Sequence, residues 1–199
     1  MLTYTMNYSK PFKIIEGTNS ILLSAPHVFS HRRPSLTLSY KVGEPWTDEI
    51  VRDLCANTGC WGIVLTEESD FDANYHLLED NPYKQEVESI VKDNKITKFI
   101  DIHGLSNEHE YDIGIFYPSR FRRSMKLSDE ICSSINRGHL RGINMCTLRF
   151  SDNNRETLGE FVAAKLRVPS VQIEIARYIR EQNKLRNSFI ENLSNYLRV

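Results

Sequence analysis

The chain has 199 residues, of which 26% are charged and 40% hydrophobic, so it is long enough to bury one sizeable core unaided and too apolar for disorder. A net charge of -1 argues against a protein that coats nucleic acid, and the cluster Arg120, Arg122, Arg123 and Lys126 reads as a solvated face. Cys55, Cys60, Cys132 and Cys146 form no CxxC pair and read as small buried hydrophobes in a reducing compartment, while no apolar run approaches a membrane span. The expectation is a single cytoplasmic domain over residues 1–199 with no nucleic-acid or membrane partner. Composition leaves the oligomeric state open.

In chain order, Ile14-Ile15-Glu16-Gly17 and Ser20-Ile21-Leu22-Leu23-Ser24-Ala25-Pro26-His27 read as two strands joined by the turn Gly17-Thr18-Asn19. Pro26 cannot donate to a sheet ladder, so it marks the last rung and leaves His27 at a strand end. Residues 28–43 read as a long basic loop too polar and aperiodic for an element, and loops of that length usually face a ligand. Glu44 directly precedes a helix whose start is marked by Pro45 and Thr47 and whose apolar face is Ile50, Val51, Leu54 and Cys55. Trp61-Gly62-Ile63-Val64-Leu65-Thr66 is a strand, residues 67–80 an acidic loop carrying Asp72-Ala73-Asn74, and residues 82–94 a helix with Tyr83, Val87, Ile90 and Val91 at helical spacing.

The next strand, Lys98-Phe99-Ile100-Asp101-Ile102-His103-Gly104, ends on a histidine and a glycine. His103 is therefore expected where the strand leaves the sheet, the edge at which open α/β sheets bind ligands. A strand over 111–118, a helix over 128–137, a strand over 145–150, a helix over 158–166, a strand over 168–175 carrying Glu174, and a helix over 182–197 with Leu185, Phe189, Leu193 and Tyr196 on one side complete the chain. Strand and helix alternate, which predicts an α/β class.

Four residues at element ends are unexplained by amphipathic patterning: His27, Glu44, His103 and Glu174. Two imidazoles and one carboxylate form the ligand set of a catalytic zinc, which keeps a position open for water. A second carboxylate, free of the metal, can take a proton from that water and hand it to a leaving nitrogen, as metal-assisted amide hydrolysis requires. Zn2+ is the expected cofactor because imidazole and carboxylate suit it. Asp101, two residues before His103, is a candidate to orient the ring, whereas His31, His76, His109 and His139 are expected to be structural.

Ser24-Ala25-Pro26-His27, Glu44-Pro45-Trp46-Thr47-Asp48, Asp72-Ala73-Asn74, Asp101-Ile102-His103-Gly104 and Gln172-Ile173-Glu174-Ile175 occur in the order seen in N-formylglutamate amidohydrolase-like proteins, members of the zinc carboxypeptidase-like hydrolases, and the chain resembles that family over residues 21–180. The resemblance implies a three-layer α/β/α sandwich with a mixed central sheet, zinc on His27, Glu44 and His103, and Glu174 as general base. Asp48 is a rival to Glu44, which is preferred because it precedes the helix. The family reads Asp-x-Asn-Arg where this chain has Tyr75, so the arginine expected to hold a substrate carboxylate is missing. Arg32, Arg33 and Arg177, with Lys84 and Arg155 as further cations, are candidates to replace it, and Asn74 joins them as a candidate substrate contact. The expected activity is hydrolysis of an N-acyl amino acid or a small glutamyl peptide. A carboxypeptidase, a poly-gamma-glutamate hydrolase and a non-catalytic binding protein of the same fold are the alternatives.

Overall fold

The computed structural model describes residues 10–34, 40–118, 121–150 and 156–198. Four strands form the parallel heart of the sheet: β2 (Ile21–Ala25), β5 (Trp61–Leu65), β6 (Lys98–Leu105) and β9 (Ser170–Ala176). They are covered on both sides by helices, which is why their sequences run apolar rather than alternating. β1 (Phe12–Ile15) pairs antiparallel with β5 at one edge. At the other, β7 (Ile113–Tyr117) runs antiparallel to β9 and parallel to β8 (Met145–Arg149). The order β1-β5-β2-β6-β9-β7-β8 makes a seven-stranded mixed sheet, as the α/β reading required.

Two contacts separate the helical layers. Gly62 of β5 lies under α1 (Thr47–Thr58), where a Cβ would sit 2.7 Å from Cys55 Sγ. From the opposite face, Tyr83 of α2 (Pro82–Asp93) donates its hydroxyl to the carbonyl of Ile63 at 2.8 Å and lies 3.0 Å from Ser24 Oγ. α6 (Asn183–Leu197) packs on α1 and on α3 (Arg122–Ile135), and α4 (Leu158–Ala164) packs on β6 and β9. The α2 helix starts where its sequence dictates, with Asn81 Oδ1 accepting from Lys84 N–H at 3.1 Å and Pro82 in the first turn. α4 is closed by a capping box between Thr157 and Glu160.

The face under α2 and α4 carries the polar side chains. Strand pairing aligns Ser24, Asp101, Gln172 and Phe116 in one row and His103, Glu174 and Gly114 in the next. Side chains two apart on a strand share a face, so the sheet itself brings Asp101 beside His103 and Glu174 beside both.

Four expectations are corrected. The segment 28–43 holds a short ribbon, β3 (His31–Arg32) with β4 (Tyr40–Lys41), tied to the acidic loop by Arg32 N–H to the Ser69 carbonyl at 2.9 Å. α3 begins six residues before the expected start, at Arg122, because its buried Ser124, Leu127 and Ile131 stripe is interleaved with exposed Arg122, Arg123 and Lys126. A short helix, α5 (Arg177–Glu181), precedes α6. His103 lies two residues before the end of β6, still paired within the sheet rather than where the strand leaves it, and is directly opposite Glu174. Arg120 and Arg155 lie outside the described residues.

Candidate functional site

His27 follows β2 by two residues, and its carbonyl accepts from Glu44 N–H at 2.7 Å, which draws the start of α1 onto the strand end. Glu44 is further fixed by Thr47, whose hydroxyl donates to the Glu44 carbonyl at 2.7 Å. Trp46, at φ 69°, adopts the left-handed conformation that turns the chain from Glu44 into the helix. Such a backbone costs a non-glycine residue about 1–3 kcal/mol and persists only where the surroundings over-determine it.

Both histidines are buried and held the same way. His27 Nε2 lies 2.9 Å from Asp72 Oδ1, and His103 Nε2 lies 2.9 Å from Asp101 Oδ2. With each Nε2 committed to a carboxylate, each Nδ1 turns to Glu44: His27 Nδ1 is 3.6 Å from Oε1 and His103 Nδ1 is 3.3 Å from Oε2. Gly104 N–H also donates to Oε2 at 3.0 Å. Asp48 is elsewhere, half-exposed and 3.5 Å from Arg52.

The Nδ1 atom of His27 has no hydrogen-bond partner among the described residues, although it is buried. Buried polar atoms are rarely left so, and an orphan beside a carboxylate and a second imidazole has the surroundings a cation ligand needs. The three donor atoms lie within 4.8 Å of one another. Tetrahedral ligands at about 2.0–2.1 Å from zinc are about 3.3 Å apart, close to the separations here, and the carboxylate–histidine pairing on the far nitrogens is the arrangement that fixes metal-binding tautomers. His27, Glu44 and His103 therefore fit a zinc ion. A second buried group, His27, His31 and Asp72, fits one poorly. Arg33 Nε already donates to Asp72 Oδ2 at 2.7 Å, and a metal there would face a guanidinium.

Charge explains the titration of the cluster. Burial pulls both histidines down, yet Asp72 and Glu44 hold His27 above its ordinary value, and Asp101 and Glu44 hold His103 well above. Burial pushes Glu44 up, but the two histidines hold it well below the usual carboxylate range. Glu174 goes the other way: burial raises it and Glu44 adds to the rise, against His103, the Gln172 amide and Lys41. Gln172 Nε2 donates to Glu174 Oε1 at 2.6 Å and fixes the carboxyl group.

The remaining sequence candidates disperse. Arg33 is held by Asp72 and stacks over the Tyr75 ring at 4.4 Å. Asn74 is buried, with its N–H donating to Asp72 Oδ1 at 2.8 Å and its Oδ1 accepting from Leu158 N–H at 2.8 Å. Arg32 is exposed, and Lys84 is spent on the carbonyls of His76 and Glu156 at 3.0 and 2.9 Å. Arg177, 60% exposed, borders a groove with Glu44 and Lys41.

Three participants escaped the sequence reading. Asp72, known only as part of a motif, grips His27, Arg33 and the turn that follows it. His31, expected to be structural, stacks on His27 with ring centroids 4.0 Å apart and brings Nε2 to 3.4 Å from Asp72 Oδ2. Arg180 is buried and donates from its guanidinium to the carbonyls of Ile175, Leu105 and Pro45, which joins β9, β6 and the entry to α1. The polar residues of 31–33 and an arginine four residues beyond a strand were the available signals.

No family model matches the chain, and no curated protein does. Among solved structures it is similar to a gene product of Agrobacterium tumefaciens, with a TM-score of 0.65 at 14% identity over 94% of this chain and 92% of the other. It is similar to succinylglutamate desuccinylase from Chromobacterium violaceum, with a TM-score of 0.60 at 14% identity over 92% of this chain and 64% of that one. It is also similar to a bacteriophage poly-gamma-glutamate hydrolase, with a TM-score of 0.54 at 14% identity over 94% and 86%. These likenesses establish a shared fold, the helix-covered mixed sheet described above, and do not single out the N-formylglutamate amidohydrolase-like family.

Proposed function

We propose that this chain is a zinc-dependent hydrolase of amide bonds, acting on an N-acyl amino acid or a small glutamyl peptide. The observation that carries the reading is the convergence on Glu44 of the Nδ1 atoms of two buried histidines whose Nε2 atoms are anchored by acids, with a separate carboxylate, Glu174, directly across the strand pair from His103. The names of the structural neighbours agree with it, since succinylglutamate and poly-gamma-glutamate are both joined by amide bonds. Zinc held by His27, Glu44 and His103 would polarise the substrate carbonyl and lower the pKa of a water from about 15.7 to about 7.

The chain's own residues supply the rest. Glu174 accepts the proton of the attacking water and returns it to the departing amine. Its burial supports that role, because a carboxylate raised toward the working pH both takes and gives a proton readily. Gln172 holds one carboxyl oxygen and leaves the other to face the substrate. Asp72 and Asp101 keep each imidazole's Nδ1 presented. Of the cations considered for a substrate carboxylate, Arg177 is favoured by its place on the groove wall, whereas Arg33 and Asn74 are better explained as supports of Asp72 and α4.

The test is turnover of N-acyl amino acids by zinc-loaded protein beside a Glu174→Gln variant. Loss of general-base catalysis is expected to lower kcat by about 10²–10⁴-fold with zinc still bound. Full turnover by Glu174→Gln with its zinc in place would remove Glu174 from the chemistry.

A further inference from the structure

Two cavities adjoin the candidate site and share Lys41, Gly104, Leu105 and Ser106 as a common wall. The first, of about 440 Å³, has Glu174 on its lining together with His109, Tyr111, Phe116 and Phe150. Its rings form a continuous edge-to-face series: Tyr111 and Phe116 centroids are 6.0 Å apart and Phe116 and Phe150 centroids 6.1 Å apart. Gly114, opposite Glu174 on β7, makes room for them, because a Cβ there would come within 2.6 Å of the Phe116 ring and 2.8 Å of the Tyr111 ring. The second cavity, of about 290 Å³, is bordered by Glu44 and by Arg177. Arg177 spends its Nε on Glu181 at 2.6 Å, and its two terminal nitrogens have no partner among the described residues. The guanidinium of Arg180, on the same wall, is consumed by backbone carbonyls.

The groove thus has an aromatic lobe and a cationic lobe, with Glu174 in one, Glu44 in the other and Gly104 between. A phenyl group fits the first with space to spare, since a cavity of about 150 Å³ already takes benzene. A carboxylate meets the terminal nitrogens of Arg177 in the second as a two-pronged acceptor, and Lys41, whose ammonium lies 3.5 Å from Glu44 Oε1, stands on the wall the two lobes share.

We infer that the substrate is an aryl-bearing acidic amide, with a ring on one side of the scissile bond and a carboxylate on the other, such as an N-aroyl or N-arylacyl amino acid. The inference rests on the amide-hydrolase reading and narrows its substrate class toward aromatic rather than glutamyl compounds. Phe150 and Arg177 are then specificity-determining residues, one for each lobe.

The test is calorimetric titration of zinc-loaded Glu174→Gln protein, which blocks turnover, with N-benzoylglycine, N-acetylglycine and N-formylglutamate. N-benzoylglycine is expected to bind at least roughly tenfold more tightly than N-acetylglycine, because burying a ring recovers its apolar area. Phe150→Ala in that background should erase most of the difference while leaving N-acetylglycine unchanged. Arg177→Gln should weaken both glycine conjugates by a similar factor and leave benzamide, which has no carboxylate, unaffected. Equal or tighter binding of N-acetylglycine or N-formylglutamate, an undiminished ring preference in Phe150→Ala, or no measurable binding of any of these ligands would overturn the inference. Parallel turnover assays on wild-type protein separate the two readings. Hydrolysis of N-formylglutamate without a ring preference defeats the aromatic lobe alone, whereas ring-selective binding without hydrolysis of any amide defeats the hydrolase reading alone.

Discussion

Each candidate ligand histidine has one nitrogen committed and one presented, and the committed nitrogen decides the geometry of the other. For His103 the partner is Asp101 on its own strand; for His27 it is Asp72, from a loop 45 residues away. Asp72 is held far below the ordinary carboxylate range: burial opposes ionisation, but His27, His31 and Arg33 outweigh it. Asp72→Asn retains the shape and removes the charge, so zinc affinity is expected to fall by about 10–100-fold, measured by competition with a chelating dye. Asp72→Ala also strands two rings and a guanidinium in a buried site and should cost about 3–5 kcal/mol in urea unfolding. Unchanged zinc affinity in Asp72→Asn would mean that the orientation of His27 comes from elsewhere. The sequence carried the Asp101 contact in its spacing, because side chains two apart on a strand face the same way. It carried no sign that Asp72 reaches His27, since nothing local to a loop announces a tertiary hydrogen bond.

At the scale of elements, the site depends on three segments meeting: the end of β2, the middle of β6 with β9, and the approach to α1. Arg180 of α5 is the clamp among them, with its guanidinium on carbonyls of β9, β6 and Pro45. Gly104 permits the approach, because a Cβ there would come within 2.4 Å of the Arg180 Cζ. Arg180→Ala leaves three carbonyls short of a donor and opens a void, so a loss of about 3 kcal/mol or more in unfolding free energy is expected by chemical denaturation. Arg180→Lys should recover only part of it, since an ammonium lacks the planar fork. A loss below about 0.5 kcal/mol in the alanine variant would show that the clamp is dispensable. Strands β2, β5, β6 and β9 were legible as apolar runs, and α1, α2 and α6 as periodic stripes. α5 was not, because five residues without a capping side chain give no period to read. The β3–β4 ribbon was hidden for a related reason: two-residue strands leave no alternation.

Across the whole molecule, the sheet divides its labour by face. One face is covered by α1, α3 and α6, whereas the other, beneath α2 and α4, brings Asp101, His103, Gln172 and Glu174 together through strand register alone. The α/β class followed from the alternation of elements along the chain, but strand order is a matter of long-range pairing, which no local pattern encodes. A buried cluster of carboxylates and imidazoles around an orphaned nitrogen should be stabilised by a divalent ion that binds only the folded state. Zinc at a free concentration a hundredfold above its dissociation constant contributes about 2.7 kcal/mol, which for a chain of this length raises Tm by roughly 5–10 °C in a thermal melt. A chelator should reverse the shift, and a melt insensitive to both would argue that the cluster holds no ion.

The central claim is tested most directly by the metal content of the purified protein, measured by elemental analysis beside a His27→Ala/His103→Ala double variant whose fold is checked by circular dichroism. The account predicts one zinc per chain in the wild type and none in the folded variant. Folded wild-type protein that neither carries zinc nor takes it up, or a folded double variant that retains it, would contradict the account.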